Sequence, residues 1–306
     1  GTGLHHVTAI AGSAQANVAF YSGALGLRLV KKTVNFDDPS AWHLYYADET
    51  GTPGTVMTFF AWARGPSGRV GRGQASATQF AVPAGALPFW TERLPLRGAK
   101  LIAGETAFGA RRGLFEDPDG LVFALVETAD DPRTPWTTEE IGAEVAIRGF
   151  HGVTLALAEA ESTARILSEA FGYAAEATEG ATTRMRLPGS PSGVVDLHVD
   201  PARAPGADGA GAVHHVAFAV PDRAAQLRAR ARMEAAGLRV TPQIDRDYFW
   251  AIYARTPGGV LFEVATNEPG FATDEPVSSL GTALRLPEAH EPHRAEIERS
   301  LPPLAA

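Results

Sequence analysis

The sequence predicts an α+β protein built from four βαβββ modules arranged as two paired-module, barrel-like halves. Two observations carry this expectation. One plan recurs four times: an apolar strand, an amphipathic helix ending at glycine, then three strands closed by a Pro/Gly turn. The spacing recurs with it: the helix-ending glycines follow the strand residues at 6, 78, 152 and 215 by 20, 20, 20 and 22 residues. Glycine suits that place because the residue after a helix often turns left-handed.

Taken in order, module one runs from about His5 to Trp62, with its helix over Ala14–Leu25 ending at Gly26. Module two runs from about Ser76 to Glu127, with Leu87–Leu96 ending near Gly98. A polar, proline-marked linker, Ala129–Ile147, follows. Module three spans about Gly149–Asp200, with Glu161–Phe171 ending at Gly172; module four spans about Val213–Thr266, with Asp222–Ala236 ending at Gly237. Residues 1–129 are therefore expected as an N-terminal half holding modules one and two. Residues 148–268 form the matching half with modules three and four, and 269–306 a C-terminal extension. The extension is read as a proline-rich strap with one short helix around Pro292–Ser300, its His290 and His293 solvated.

Composition bounds the function. The 306 residues are 45 % hydrophobic and 20 % charged, as in soluble globular proteins. A net charge of −8 without a basic cluster argues against nucleic acid and anionic membrane as partners, and no apolar stretch is long enough to span a bilayer. The absence of cysteine excludes thiolate chemistry and fits a cytoplasmic protein.

The chemistry concentrates in a doublet that occurs twice, Leu4-His5-His6-Val7-Thr8 and Val213-His214-His215-Val216-Ala217, each opening a strand. Downstream of the second, Glu263 sits among Leu261, Phe262, Val264 and Ala265. An uncompensated buried carboxylate is costly, so a cation is expected beside it. Two imidazoles and a carboxylate on separate strands form the ligand set of a non-haem Fe(II) oxygenase. Overlaying the modules provides an internal control. The place of His6 and His215 is Thr78 in module two and Gly152 in module three, with His151 one residue out of register. The place of Glu263 becomes Ala124, Leu197 and about Phe59. Metal-type residues are thus expected only in modules one and four.

The fourfold plan resembles the vicinal oxygen chelate superfamily, which includes glyoxalases, bleomycin-binding proteins and extradiol dioxygenases. Within it the chain is most similar to hydroquinone ring-cleaving dioxygenases of the dichlorohydroquinone type. That resemblance rests on His5-His6-Val7-Thr8, Leu25-Gly26-Leu27-Arg28-Leu29-Val30-Lys31-Lys32-Thr33-Val34-Asn35, His43-Leu44-Tyr45-Tyr46-Ala47-Asp48, Asp245-Arg246…Tyr253 and Gly259-Val260-Leu261-Phe262-Glu263. It implies Fe(II) on His6, His215 and Glu263, with Mn(II) or another divalent metal as the alternative. It also implies that Tyr253, His214, Arg246, His5 and Thr8 surround the substrate or orient the site. A small aromatic para-diol and dioxygen would be the reactants, and a homo-oligomer is compatible with the sequence.

The residue types fit such roles. Tyr253 is expected on the strand beside Glu263, where a phenol could ligate or hydrogen-bond, and Arg246 could hold that phenol. His214 and His5 could accept a hydroxyl proton. Strict alternation, however, turns both away from His6 and His215, and only a twist or bulge would bring them round. Phe249 shares strand parity with Tyr253 and is expected to line the pocket, while the roles of Trp42 and His43 stay open. Three other readings remain: a metal-dependent glyoxalase-type isomerase or lyase, a non-catalytic aromatic-ligand binding or resistance protein, and a catechol dioxygenase with its triad in modules three and four.

Overall fold

The computed structural model describes residues 2–305. Each module has the expected five elements. Module one is β1 (Leu4–Ala11), α1 (Ala14–Val18), β2 (Arg28–Asn35), β3 (Asp38–Ala47) and β4 (Val56–Ala61). Module two is β5 (Gln74–Pro83), α2 (Leu87–Arg93), β6 (Lys100–Ala107), β7 (Ala110–Glu116) and β8 (Val122–Thr128). Module three is β9 (Gly149–Leu157), α3 (Glu161–Phe171), β10 (Ala174–Glu179), β11 (Thr182–Arg186) and β12 (Val194–Val199). Module four is β13 (Val213–Val220), α4 (Arg223–Ala235), β14 (Ile244–Asp245), β15 (Phe249–Arg255) and β16 (Leu261–Pro269).

The helix stops fall where glycine was expected. Gly26, Gly98, Gly172 and Gly237 all have positive φ, between 68° and 97°. The first helix widens into a π-type turn over Ala19–Ala24, and the second tightens into a 3-10 turn over Leu94–Arg97. Asp222 caps α4 by accepting the amide of Ala225 at 2.8 Å.

Strand pairing departs from the expected order. One eight-stranded sheet reads β14-β15-β16-β13-β1-β4-β3-β2, and the other reads β10-β11-β12-β9-β5-β8-β7-β6. Module one therefore pairs with module four, and module two with module three, instead of one with two and three with four. In each sheet the first strand of one module hydrogen-bonds antiparallel to the first strand of a module beyond the linker: β1 with β13, and β5 with β9. Each half of the chain thus contributes one module to each sheet.

The helices cover one face of both sheets, where Phe20, Phe59, Phe123, Phe218 and Phe262 belong to one continuous core. The other face of the β1/β13 sheet carries a second, smaller apolar cluster that includes Tyr45, Val56, Phe249, Ala265 and Phe271. The C-terminal extension reaches this face. Lys31 on β2 is fully buried, with its ammonium paired to Asp274 and Glu275, and Phe271 and Leu280 join the smaller cluster. The short terminal helix is α5, Arg294–Ser300. His293 is exposed as expected, but His290 is half-buried, its Nε2 lying 3.0 Å from the Phe36 carbonyl.

Candidate metal centre

Three strands position the ligand set. His6 lies on β1, His215 on β13 and Glu263 on β16, and β13 pairs with both of the others. Glu263 Oε2 is 2.8 Å from Nε2 of His215 and 3.2 Å from Nε2 of His6, and the two Nε2 atoms are 3.3 Å apart. Three donors at about 2.1 Å from a common divalent ion, near right angles, would be separated by such distances. Neither imidazole contact to Glu263 has the alignment of a hydrogen bond, so both carboxylate oxygens are buried without a donor. The carboxyl is fully buried. Burial pushes His215 down to about 4, leaving it in the neutral form that binds metals. A bare carboxylate facing two imidazole nitrogens fits a divalent ion, and this is the one such group of three among the described residues.

The doublets are explained by two β-bulges. Along β1 and β13 the register runs Leu4↔Phe218 then His6↔Ala217, which leaves His5 as an extra residue. It runs Thr8↔His215 then Ala9↔Val213, which leaves His214 extra in turn. Each bulge brings its imidazole beside its neighbour: Nδ1 of His5 lies 2.8 Å from Nδ1 of His6, and Nδ1 of His214 lies 2.9 Å from Nδ1 of His215. With Nε2 of His6 turned to the carboxylate, its Nδ1–H donates to Nδ1 of His5, whose own proton then sits on Nε2. Burial, and then His6, push His5 down to about 3, so it stays a neutral acceptor. His5 and His214 thus stand behind the ligand histidines, off the cavity wall.

A cavity lies in front of the triad, partly open to solvent. Thr8, Phe249, Tyr253 and Arg246 line it. Tyr253 pairs with Glu263 across β15 and β16, and Arg246 Nε donates to its hydroxyl at 3.2 Å. Burial, with Glu263 adding to it, pushes the Tyr253 phenol well above its ordinary value, so it stays protonated. Phe249 packs against His6 and His5, with ring centroids 5.0 Å and 5.2 Å away.

Sequence reasoning assigned no role to one wall of this cavity: it left His43 open and passed over Tyr45, Asn35 and Phe60 as lining. The available signal was parity, because His43 and Tyr45 are two apart on β3 and so share a face.

The ladders also correct three register assignments. Thr8 pairs with Thr58 on β4, as Ala217 pairs with Glu263 on β16, so Thr58 and not Phe59 takes the glutamate place in module one. In module three Thr154 pairs with Asp196, which takes that place instead of Leu197. In module two, Ala77 pairs with Thr154 as His6 pairs with Ala217, so Ala77 and not Thr78 takes the histidine place. A one-residue slip exchanges the two faces of a strand, and the bulges make such a slip easy to misplace. A carboxylate therefore does recur outside modules one and four. Asp196, however, is matched by Arg184 through two bonds of 2.8 Å, and it has no imidazole beside it at Ala77 or Gly152. His151, on β9 of this second sheet, lies apart from the triad.

Comparison with known proteins agrees with this architecture. The family described as the Glyoxalase/Bleomycin resistance protein/Dioxygenase superfamily matches residues 3–125 and 126–264, and the chain belongs to it. It is 43 % identical over 310 residues, 99 % of either chain, to MhqE of Bacillus subtilis (strain 168), provisionally named a ring-cleaving dioxygenase. It is 37 % identical over 309 residues to a chlorohydroquinone/hydroquinone 1,2-dioxygenase of Sphingobium indicum, covering 98 % of this chain and 95 % of that one. A crystal structure of a provisionally named dioxygenase from Bacillus subtilis superposes with TM-score 0.95 at 43 % identity, covering 99 % of this chain and 97 % of that one. Glyoxalase I from Zea mays, at 15 % identity and TM-score 0.64 over 86 % of this chain and 92 % of that one, shares the fold. No helix is long and apolar enough to cross a membrane.

Proposed function

We infer that the protein is a metal-dependent ring-cleaving dioxygenase acting on a hydroquinone-type para-diol, with Fe(II) held by His6, His215 and Glu263. The observation that carries this reading is the orphaned buried carboxylate of Glu263, set against two imidazole nitrogens on the wall of a cavity. The ligand types are those of non-haem iron oxygenases, and the relatives named for ring cleavage match nearly the whole chain. Bound iron would supply electron transfer between an electron-rich ring and dioxygen, so that both oxygen atoms enter the product.

The chain's own residues supply position and proton handling. His5 and His214 fix the tautomers of the two ligand histidines, which keeps both Nε2 atoms bare. Tyr253, protonated and held by Arg246, can donate to an oxygen in the cavity beside Glu263. Phe249 and Phe60 line the cavity and offer apolar contact to a ring.

The rival readings meet specific obstacles. A catechol-type triad from modules three and four would need those modules in one sheet, and they lie in two. A glyoxalase-type fourth ligand would fall at Thr58, whose hydroxyl is bonded to Thr8 and His43. The experiment that tests the proposal is anaerobic Fe(II) loading followed by oxygen uptake with hydroquinone and with catechol. Uptake with hydroquinone and ring-opened product is expected; uptake with catechol alone, or with neither, would overturn it.

A further inference from the structure

His215, Glu263 and Tyr253 lie on module-four strands and His6 on β1, and the wall built by β3 and β4 of module one has no assigned task. That wall carries a continuous chain of hydrogen bonds across three strands. Thr8 Oγ1 on β1 meets Thr58 Oγ1 on β4 at 2.7 Å, Thr58 Oγ1 meets Nε2 of His43 on β3 at 3.0 Å, and Nδ1 of His43 meets the Tyr45 hydroxyl at 3.1 Å. Both ring nitrogens of His43 are engaged inside the chain, so His43 does not itself present a free nitrogen to the cavity. Tyr45 ends the chain and lines the cavity, with one phenolic oxygen able to bond a further partner. Its ring is held between His43, at 4.2 Å between centroids, and Phe271 of the C-terminal extension, at 5.2 Å.

A para-diol carries its two hydroxyls at opposite ends of the ring. The metal end can take only one, and the other meets a wall in which Tyr45 is buried, where an unmatched polar group is costly. We propose that Tyr45, held in place by His43 and Thr58, is the hydrogen-bond partner of that second hydroxyl. It thereby makes the cavity selective for para-diols over rings with a single hydroxyl. The inference rests on the hydroquinone reading above. In this arrangement Tyr45 contacts the substrate, and His43 is a positioning residue: neutral because burial holds it well below its ordinary pKa, it can accept from Tyr45 while donating to Thr58, or the reverse after a change of tautomer. Strand-borne groups suit such recognition because their backbone is fixed by the ladder.

The test is equilibrium binding of hydroquinone and of 4-methoxyphenol, which keeps one hydroxyl and caps the other, to Zn(II)-loaded protein by calorimetry. Wild type is expected to prefer hydroquinone by about 10- to 100-fold, the range for leaving a buried polar partner unmatched. Tyr45→Phe should bring the ratio close to one by weakening hydroquinone alone, with metal content unchanged. His43→Leu should do the same, and His43→Gln, which keeps a donor and an acceptor, should restore most of the preference. A ratio unchanged in Tyr45→Phe, an equal loss for both ligands, or loss of the ratio in Asn35→Ala instead would overturn the proposal while leaving the dioxygenase reading intact. Wild-type protein that binds neither ligand would overturn both.

Discussion

Glu263 offers a test in which the sign of the effect separates two physical accounts. If the site is built for a metal, the metal-free protein carries a fully buried carboxylate whose oxygens lack an aligned donor. Its neighbour His215 is held down to about 4 by burial and supplies no charge at neutral pH. An unmatched buried polar group costs about 1–3 kcal/mol. Glu263→Gln keeps the shape, removes the charge, and gives an amide N–H that can donate to a bare Nε2. The metal-free variant should therefore be more stable than metal-free wild type by about 1–3 kcal/mol, a rise in Tm of about 1.5–5 °C for a chain of this size. Added metal should reverse the order. At a thousand times Kd wild type gains about 4 kcal/mol, and the variant gains little. Calorimetric melts of stripped and reloaded protein measure both differences. If instead Glu263 is half of a histidinium–carboxylate pair that holds the strands together, removing one partner costs about 3–5 kcal/mol and the stripped variant melts lower. That outcome, or a wild-type Tm indifferent to metal, would refute the reasoning.

Three further outcomes are expected. His6→Ala should abolish metal binding and turnover, whereas His151→Ala, in the other sheet, should keep both near wild type; metal analysis showing loss in the latter would place the site elsewhere. Tyr253→Phe should retain the metal and lower turnover by about 10²–10⁴-fold, as for a positioned proton-transfer group, and full activity in steady-state assays would remove Tyr253 from the chemistry. Burial pushes Asp117 up from 3.8 to about 6 against the bonds it accepts from Tyr21 and Leu121. A carboxyl raised in the folded state contributes stability below its unfolded value, and that contribution is lost as pH rises through about 6. The stability of wild type relative to Asp117→Asn should thus fall by at most about 3 kcal/mol between about pH 4 and pH 7; denaturant midpoints independent of pH in that comparison would sink the idea.

What could be read in the sequence follows from what is local. The helix-ending glycines and the five-element plan depend on patterns within a single module, and they stand as expected. Tyr253 opposite Glu263 follows from simple hairpin counting across β15 and β16. Which module pairs with which could not be read, because every first strand is an apolar run with two free edges and nothing local names the partner. The surroundings of His5 and His214 were hidden for a related reason. A bulge adds one residue to a strand without changing its composition, so alternation turns the side chain away where the structure brings it beside its neighbour. The same off-by-one error put Phe59 and Leu197 where Thr58 and Asp196 belong.

That corrected register gives the physical reason why one sheet holds the candidate metal centre and its counterpart does not. Both sheets keep a buried carboxylate at the same place, Glu263 in one and Asp196 in the other. Opposite Asp196 the ladder sets Arg184, and the guanidinium satisfies both oxygens while Gln79 adds a third bond at 2.9 Å. Opposite Glu263 the ladder sets Tyr253, a neutral phenol. The first-strand places differ in the same sense. A side chain at Gly152 would put its Cβ 2.2 Å from the Val194 carbonyl, so no imidazole fits there, whereas His215 stands at the matching place on β13. One sheet neutralises its carboxylate from within the chain and is complete without a ligand. The other replaces the cation with a phenol, adds two imidazoles, and leaves a negative charge at a cavity wall that the proposed metal ion would balance.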